Sequence, residues 1–343
     1  MEKGALVIEP LRITLCLVTS FIFSLIITPR LAHIAEKIGL VDYPNERKIH
    51  KMPKPIVGGL GMVMALSLSS LLFLPLTHLR GYFSGLIVLT IVGFLDDYKE
   101  VSHYWKFIAQ AIAVTCIITL SNTILSSFGN LFSTGRLDLG IMAIPLTFFC
   151  AIGVINSINM IDGLDGLAGG LSLLSFISFT ALAYMNNQID LMALSLGLCG
   201  VVLGFLFFNW PPSRLFMGDA GSLSLGFSLA FLSIAITQKD RSVVPPVAPL
   251  LILAVPIVDT VMVMIKRIFR GRSPFYADKT HIHHRLISMG MSKKKTLYII
   301  LTIAFIMDLI AVTGTLLKIP EHYLFLIFLA YLILVNKVLI SSR

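Results

Sequence analysis

Long apolar stretches, separated by short polar breaks, run through the whole sequence and limit its fold more than any other feature. About eleven of them approach the roughly 20 apolar residues that a helix needs to cross a bilayer. Only 13% of the residues are charged, against about a quarter in soluble domains. Because no polar segment is long enough to fold separately, we expect residues 1–343 to form a single membrane-embedded domain.

The expected fold is therefore all-α, a polytopic membrane protein with about eleven transmembrane helices. The candidate helices cover residues 11–29, 56–76, 82–95, 105–121, 141–158, 164–185, 191–208, 221–237, 245–265, 296–317 and 323–340.

Lys and Arg residues concentrate in one set of breaks, chiefly 30–55 and 266–295. Since positively charged loops remain in the cytoplasm, this asymmetry predicts an N-terminus outside and a C-terminus inside. The same distribution accounts for the net charge of +9, so we expect no nucleic-acid partner.

Two adjacent carboxylates, Asp96 and Asp97, follow the apolar run that ends at Leu95. Between Arg80 and Asp96 lie 15 residues, about 22 Å of helix, which is short of a hydrocarbon core of about 30 Å. This length predicts either a thinned bilayer or carboxylates recessed in a cavity. Ionised groups at that depth mark function; solvated acids at a helix end are the alternative.

A second polar series places Asn156, Asn159, Asp162 and Asp165 at every third position, with glycines between them. Neighbours at this spacing share a helical face, and glycine lets the backbone approach a ligand closely. Amides with carboxylates suit a sugar, a uracil edge or hydrated Mg²⁺. A polar helix end with a flexible turn is the simpler alternative, but it does not explain the regular spacing.

The segment 209–222 brings a third set of polar groups to a helix start. Pro211 and Pro212 end the preceding helix, and Asp219 stands between two glycines at the mouth of the next one. Free backbone N–H groups at a helix N-terminus favour phosphate, and a carboxylate there could hold Mg²⁺. Phe216 suits either base stacking or anchoring of the loop.

A long basic loop contains Arg267, Arg270, His281, His283 and His284. Topology and anionic lipid explain its Lys and Arg content but not three histidines within four residues. A zinc site lacks third and fourth ligands nearby, so donors for phosphate oxygens are the favoured interpretation.

Three further segments carry weaker signals. Lys48 and His50 precede a glycine-rich helix start, a pattern that suits phosphate. We expect Asp259 to face the same cavity as the basic loop, and Asp308, in the middle of an apolar run, to form a hydrogen bond between helices.

Together these segments resemble the polyprenyl-phosphate N-acetylhexosamine-1-phosphate transferases. The matching strings are PNERKIHKMPKPIVGG at 44–59, FLDD at 94–97, NSINMIDGLDGLAGG at 156–170, FNWPPSRLFMGDAGS at 208–222, PIVDT at 256–260 and SPFYADKTHIHHRL at 273–286. The histidine string resembles the branch that uses UDP-N-acetylglucosamine. The peptidoglycan branch has three consecutive histidines, and Ile282 interrupts that run here.

The resemblance implies a role for each matching residue. Its implied catalytic residues are Asp96, Asp97, Asp162 and His281, its metal ligands Asp219 and Asp97, and its substrate-binding residues Lys48, His50, Asn156, Asn159, Asp165, Asn209, Phe216, Arg267, Arg270, His283 and His284. A lysine that the peptidoglycan branch carries a few residues after the paired aspartates is matched only approximately by Lys99 and Lys106, so that role stays open.

The implied reaction moves a sugar 1-phosphate, most simply N-acetylglucosamine 1-phosphate, from a UDP-N-acetylhexosamine to polyprenyl phosphate, as the first step of a cell-envelope polysaccharide. The resemblance also implies Mg²⁺ (with Mn²⁺ as a substitute), contact with membrane lipid, a homodimer, and a cytoplasmic active site in the bacterial inner membrane. We expect Asp96 or Asp97 to orient a group or relay a proton, with a covalent aspartyl intermediate as the alternative.

Other functions remain open at this point. They are phospho-N-acetylmuramoyl-pentapeptide transfer, intramembrane prenyl transfer and transport of a lipid-linked sugar. Prenyl transfer predicts two DxxxD motifs, and a transporter predicts repeats and polar residues at the bilayer midplane. Neither pattern is evident in the sequence.

Overall fold

The computed structural model describes residues 2–43, 53–239, 242–271, 273 and 280–340, with side chains from Glu9 to Lys337. Within these ranges the chain is almost entirely helical. The helices are α1 (Glu2–Ile38), α2 (Gly58–Phe73), α3 (Leu76–Tyr98), α4 (His103–Ser121), α5 (Ala143–Ile161), α6 (Leu167–Met185), α7 (Ile189–Asn209), α8 (Asp219–Thr237), α9 (Val247–Ile252), α10 (Ala254–Phe269), α11 (Ile282–Ser288), α12 (Lys293–Leu316) and α13 (Glu321–Ile340).

Eight helices in the described part of the chain are long and apolar enough to cross a membrane. The prediction of an all-α polytopic membrane protein is thereby confirmed. The count of eleven spans and the placement of the two termini stay predictions.

Helix α8 forms the centre of the bundle and is buried along nearly its whole length. It packs against α2, α3 and α5. Small residues make these contacts close, since a side chain at Gly59 would collide with the backbone of Gly221, and one at Gly93 with Ala220. Close backbone packing through small residues is the usual means of association between membrane helices. It brings the starts of α2 and α8 and the end of α3 together.

The predicted boundary of the third helix was wrong. Helix α3 begins at Leu76 and runs for 23 residues, about 34 Å, so it is long enough to cross a bilayer without thinning it. The error came from treating His78 and Arg80 as loop residues. Both lie inside the helix, where the Arg80 Nε donates to the Leu120 carbonyl at 3.2 Å. Asp96 and Asp97 occupy the last turn of α3.

The helix predicted over 245–265 is two helices, α9 and α10, separated at Leu253. Pro256 explains the break, because it has no N–H to donate to the carbonyl of Ile252 and its ring crowds that carbonyl. The break turns α10 and places Asp259 on its buried side.

Short extended segments complete the end that carries Asp96 and Asp219. Strands β1 (Val41–Asp42) and β2 (Lys54–Pro55) pair antiparallel. Beyond β2 the chain bonds to the segment that leads into α8, with the Phe216 N–H donating to the Pro55 carbonyl at 2.9 Å. At the other end of the bundle, Ser127 and Asp138 form an isolated antiparallel bridge.

Candidate active site

Lys106 lies between two carboxylates at one end of the bundle. Its Nζ donates to Asp96 Oδ2 at 2.6 Å and to Asp219 Oδ2 at 2.7 Å. The three side chains come from the end of α3 and the starts of α4 and α8, and all three are mostly buried. One ammonium is therefore shared by two carboxylates and balances the charge of only one, so the cluster has a net negative charge.

Asn159 joins this cluster from the last turns of α5. Its Nδ2 donates to Asp219 Oδ1 at 3.1 Å and to the Ser222 hydroxyl at 2.8 Å. Both Asp219 oxygens thus have a donor on one side, which fixes the plane of the carboxylate. We refer to Asp96, Lys106, Asn159 and Asp219 as the carboxylate–lysine cluster.

Asp97 points away from this cluster and holds the start of α8. Its two oxygens accept hydrogen bonds from the backbone N–H groups of Asp219 and Ala220, at 2.7 and 3.1 Å. A carboxylate at a helix N-terminus satisfies groups that have no partner within the helix and opposes the helix dipole. In this structure Asp97 therefore positions Asp219. Its predicted part in catalysis and metal binding stays a prediction.

The predicted common face of the Asn/Asp series does not form, because α5 ends at Ile161. Only Asn156 and Asn159 are helical, and Asp162 and Asp165 lie in the turn before α6. Asn156 faces α4, where its amide exchanges hydrogen bonds with the buried amide of Gln110 at 2.7 and 3.3 Å. In this structure Asn156 thus ties α4 to α5.

Asp162 lies in a low-polarity, negatively charged setting. Burial, followed by the charges of Asp219 and Asp165, raises the pKa of Asp162 to about 7. A bound cation or proton would relieve this repulsion, so the turn before α6 is suited to hold positive charge near Asp219.

A second group of contacts lies in the turn before α6, where Asp165 meets Lys54 and Phe216. Lys54 Nζ donates to the Ser213 hydroxyl at 2.7 Å and lies 3.9 Å from Asp165 Oδ2, and it stands 4.8 Å above the centre of the Phe216 ring. The Ser213 N–H also donates to Asp165 Oδ2 at 3.2 Å. These contacts fix the Phe216 ring beside a cation at the edge of the site.

Asn209 is buried and supports the same loops through its backbone contacts. Its Oδ1 accepts from the Gly166 N–H at 2.9 Å and its Nδ2 donates to the Leu215 carbonyl at 2.9 Å. The side chain thus joins the turn before α6 to the segment before α8. A direct contact with a nucleotide stays a prediction.

The histidines gather at the start of α11. His281 Nδ1 lies 2.8 Å from Asp259 Oδ2, and the rings of His281 and His283 stack with centres 6.0 Å apart. His283 packs over the turn before α6, because a side chain at Gly163 would lie within 2.5 Å of its Nε2. The histidine segment and the Asp162 turn are therefore neighbours.

His283 is a neutral ring in this environment. Burial, followed by the charges of His284 and His281, lowers its pKa to about 3. Among the residues that the structure describes, neither ring nitrogen has a hydrogen-bond partner, although both are buried. His283 in this conformation cannot supply the positive charge that a phosphate-binding cluster requires, whereas an unpaired buried N–H is suited to a ligand.

The predicted basic residues fall into three groups. Arg267 is buried in the last turn of α10, and Arg270 is exposed just after it. Lys48 and His50 lie outside the described residues.

The oxygen donors in the carboxylate–lysine cluster fit a hard cation. Across the described ranges no group of three or more His, Cys, Asp or Glu side chains converges as for a fully protein-bound metal. Mg²⁺ does not require such a group, because it keeps several waters and binds one or two carboxylates together with substrate phosphates. Lys106 already shows that a positive charge fits between Asp96 and Asp219.

Three residues that contribute to this geometry were not among the predicted site residues: Lys106, whose role the resemblance left open, Lys54 and Gln110. Lys106 had the clearest signal, since it stands in the first turns of the helix that follows the paired aspartates. Its contact with Asp219, which lies 113 positions away in the chain, depends on the packing of α3 against both α4 and α8 and cannot be read from local spacing.

Comparison with known proteins gives a consistent match. Residues 79–237 match the family described as Glycosyl transferase family 4. A Bacillus subtilis protein named "Probable undecaprenyl-phosphate N-acetylglucosaminyl 1-phosphate transferase" is 37% identical over 88% of this chain and 85% of its own length. The "Undecaprenyl-phosphate alpha-N-acetylglucosaminyl 1-phosphate transferase" of Yersinia pestis is 32% identical over 91% and 87%. The Escherichia coli K12 protein of that name is 30% identical over 93% and 89%.

Proposed function

The chain belongs to glycosyl transferase family 4, and from that premise we propose that it transfers N-acetylglucosamine 1-phosphate from UDP-N-acetylglucosamine to undecaprenyl phosphate. The names of its relatives support the substrates. The observation that carries the proposal is the single ammonium of Lys106 held between Asp96 and Asp219, at 2.6 and 2.7 Å. A fixed ammonium at the start of a helix attracts phosphate groups, and both substrates of the proposed reaction carry them.

The proposed reaction is a displacement at the β-phosphorus of the UDP-sugar. An oxygen of the acceptor lipid phosphate forms the new bond to this phosphorus, and the bond to the bridging oxygen breaks. UMP leaves with that oxygen, and the lipid diphosphosugar forms. Because a phosphate monoester has its second pKa near about 6, the nucleophile is mostly ionised at neutral pH without a strong base.

The main barrier is then the repulsion between two anions, and the residues of the site act on it by charge and position. Lys106 supplies a fixed positive charge beside Asp219. Asn159 holds the plane of the Asp219 carboxylate, and Asp97 holds the backbone that carries it. We assign Asp96 the orientation of Lys106, since their hydrogen bond is 2.6 Å long.

Mg²⁺ is part of the proposal, with Asp219 and Asp96 as its protein ligands in place of the predicted pair Asp219 and Asp97. Both oxygens of Asp97 already accept backbone N–H groups at the start of α8. Asp96 and Asp219, by contrast, already share one cation, the Lys106 ammonium. When bound, Mg²⁺ would neutralise phosphate charge and polarise the phosphoryl group. The nearby Asp162, whose pKa is raised to about 7, would then face less repulsion from its neighbours.

We further place this end of the bundle at the cytoplasmic face of the bacterial inner membrane. The positive-inside rule supports that orientation, because the Lys- and Arg-rich segments 30–55 and 266–295 contain Lys54 and His281, which lie at this end of the bundle. UDP-sugars are soluble and the acceptor is a lipid, so the end of α3 and the start of α4, placed at a membrane surface, would give access to both.

Turnover by purified protein in detergent or nanodiscs tests the proposal. UDP-N-acetylglucosamine, undecaprenyl phosphate and Mg²⁺ are expected to give UMP and a lipid diphosphosugar of matching mass. Reactions without acceptor lipid, or with EDTA, serve as controls. Parallel reactions with UDP-N-acetylgalactosamine and UDP-N-acetylmuramoyl-pentapeptide determine the sugar specificity. Absence of UMP with every donor would reject transferase activity.

One further measurement separates the one-step reaction from a covalent route. Incubation with UDP-sugar alone, followed by intact-mass analysis, is expected to leave the protein unmodified. A phosphosugar adduct on Asp96 or Asp97 would replace the direct displacement by a two-step mechanism.

A further inference from the structure

A buried carboxylate on α10 holds the first turn of the histidine segment through both of its oxygens. Asp259 is 2% exposed. Its Oδ2 lies 2.8 Å from His281 Nδ1, and its Oδ1 accepts from the Ile282 N–H at 2.8 Å. One side chain therefore fixes a ring nitrogen and the adjacent backbone group.

We propose that Asp259 is a positioning residue for turnover, which acts through His281 by fixing the proton on Nδ1 and directing Nε2 to the nucleotide sugar. The inference rests on the proposed function. A carboxylate can only accept at this contact, so Nδ1 carries the proton in either charge state of the ring. Nε2 is then the nitrogen through which His281 can contact a substrate. Such a carboxylate determines both the tautomer and the ring orientation.

The location of His281 links this contact to the rest of the site. Its ring stacks on His283, and His283 lies over Gly163 in the turn that also carries Asp162. Asp162 in turn lies close enough to Asp219 to sense its charge. A ring turned by Asp259 therefore faces the same end of the bundle as the carboxylate–lysine cluster.

A purely structural role for Asp259 makes a different prediction, because the Ile282 N–H bond alone would anchor α11. A double-mutant cycle distinguishes the two roles. If Asp259 acts through His281, D259N and H281A are not additive, since the second change has no oriented ring left to disturb. If Asp259 only anchors the helix, the two losses in kcat/KM multiply.

The experiment measures kcat/KM for UDP-N-acetylglucosamine at fixed undecaprenyl phosphate in wild type, D259N, H281A and the double variant. We expect D259N to lose about tenfold to a hundredfold, the range seen when a partner that orients a metal-binding histidine is removed. The double variant is expected within threefold of H281A alone. The matched control is D308N, which changes another buried carboxylate, bonded to Ser178 in α6, and is expected to retain wild-type turnover.

A second variant separates the two oxygens of Asp259. Ile282→Pro removes the backbone donor while His281 keeps its bond to Asp259. Proline is tolerated at the first position of a helix, and His281, with φ −62° and ψ 154°, has the backbone that a residue before proline requires. I282P is expected to stay within about threefold of wild type once its folding has been confirmed by its melting temperature. If D259N does not fold, D259E replaces it in the cycle.

The outcomes are distinct. Additive losses, or a D259N enzyme within twofold of wild type, overturn the inference while the transferase activity of the wild type stands. An I282P enzyme as impaired as D259N also overturns the inference, because loss of the hydrogen bond from the Ile282 N–H would then explain the effect of D259N. A wild-type enzyme that releases no UMP rejects the proposed function, and the inference falls with it.

Discussion

The two ends of the helix bundle both carry charged residues, but they use them differently. At the end formed by the last turn of α3 and the first turn of α8, Asp96 and Asp219 share one ammonium, that of Lys106. At the opposite end a cavity of about 860 Å³ is lined by the starts of α3 and α7 and the end of α8. There Arg12 and Asp190 form a pair of one cation and one anion, 3.1 Å apart.

The difference teaches that the balance of charge at each end, and not the presence of a cavity, indicates where the chemistry of this protein takes place. Buried carboxylates without a paired positive charge reduce the stability of the folded protein unless a bound cation or substrate compensates for them. The pair at the opposite end is complete and partly exposed, so it needs no further partner. The carboxylate–lysine cluster and Asp162 together hold more negative charge than Lys106 can balance, and the proposed binding of Mg²⁺ rests on that imbalance.

Asp219 gives the largest expected effect. D219N retains the shape of the side chain but removes the charge that faces Lys106 and Asn159. We expect kcat/KM to fall by about 10³-fold at saturating Mg²⁺, the loss typical of removing a preorganised electrostatic contact. UMP release measures it, and an unchanged melting temperature shows that the variant is folded. A loss of less than tenfold would mean that Asp219 is not central to turnover.

Lys106 gives the next effect. K106M removes the shared cation and leaves Asp96 and Asp219 facing each other, so we expect turnover to fall by about 10²-fold. K106R is the matched control, because it keeps the charge but replaces a point charge by a planar fork that fits two separate carboxylates less well. Its activity should lie between wild type and K106M. If K106M keeps more than a third of wild-type turnover, the ammonium serves packing alone.

The apolar pattern was sufficient to predict the helices but not the way they pack. All eleven predicted segments are helical over most of their length, with the segment 245–265 divided at Leu253. Pro256 carried the signal for that break. The start of α3 was missed because charged residues such as Arg80 are normally excluded from a membrane helix, whereas here the guanidinium reaches a carbonyl at the end of α4.

Within the site, residue types were predictable and partners were not. The sequence singled out Asp96, Asp97 and Asp219, but it treated the first two alike. Only the packing of α3 against α8 separates them, since Asp97 meets backbone N–H groups and Asp96 meets Lys106. Two adjacent residues on a helix face different directions, and which direction leads to a neighbouring helix depends on the fold.

Asp162 allows the surplus negative charge at the active-site end to be tested through the pH dependence of protein stability. Its pKa is raised from 3.8 to about 7, so the ionised form is penalised in the folded protein relative to the unfolded chain. The cost is absent below about pH 4, grows between about pH 4 and pH 7, and is complete above about pH 7. D162N removes it.

We therefore expect D162N to raise the melting temperature in EDTA at pH 8 by about 2–4 °C and to leave it nearly unchanged at pH 4. Scanning fluorimetry of the purified protein measures both values. An equal shift at the two pH values would show that the change acts through packing instead of charge.

Asp190 gives the smallest expected effect and the closest matched control for Asp219. Both aspartates occupy the first turn of a long apolar helix, α7 or α8, and both pair with a basic side chain. The Asp190 and Arg12 side chains are 37% and 29% exposed, and pairs this accessible contribute about 0.2–1 kcal/mol. D190N is thus expected to change kcat/KM less than twofold, against about 10³-fold for D219N. A tenfold loss in D190N would mean that the opposite end takes part in turnover, and the contrast between the two ends would fail.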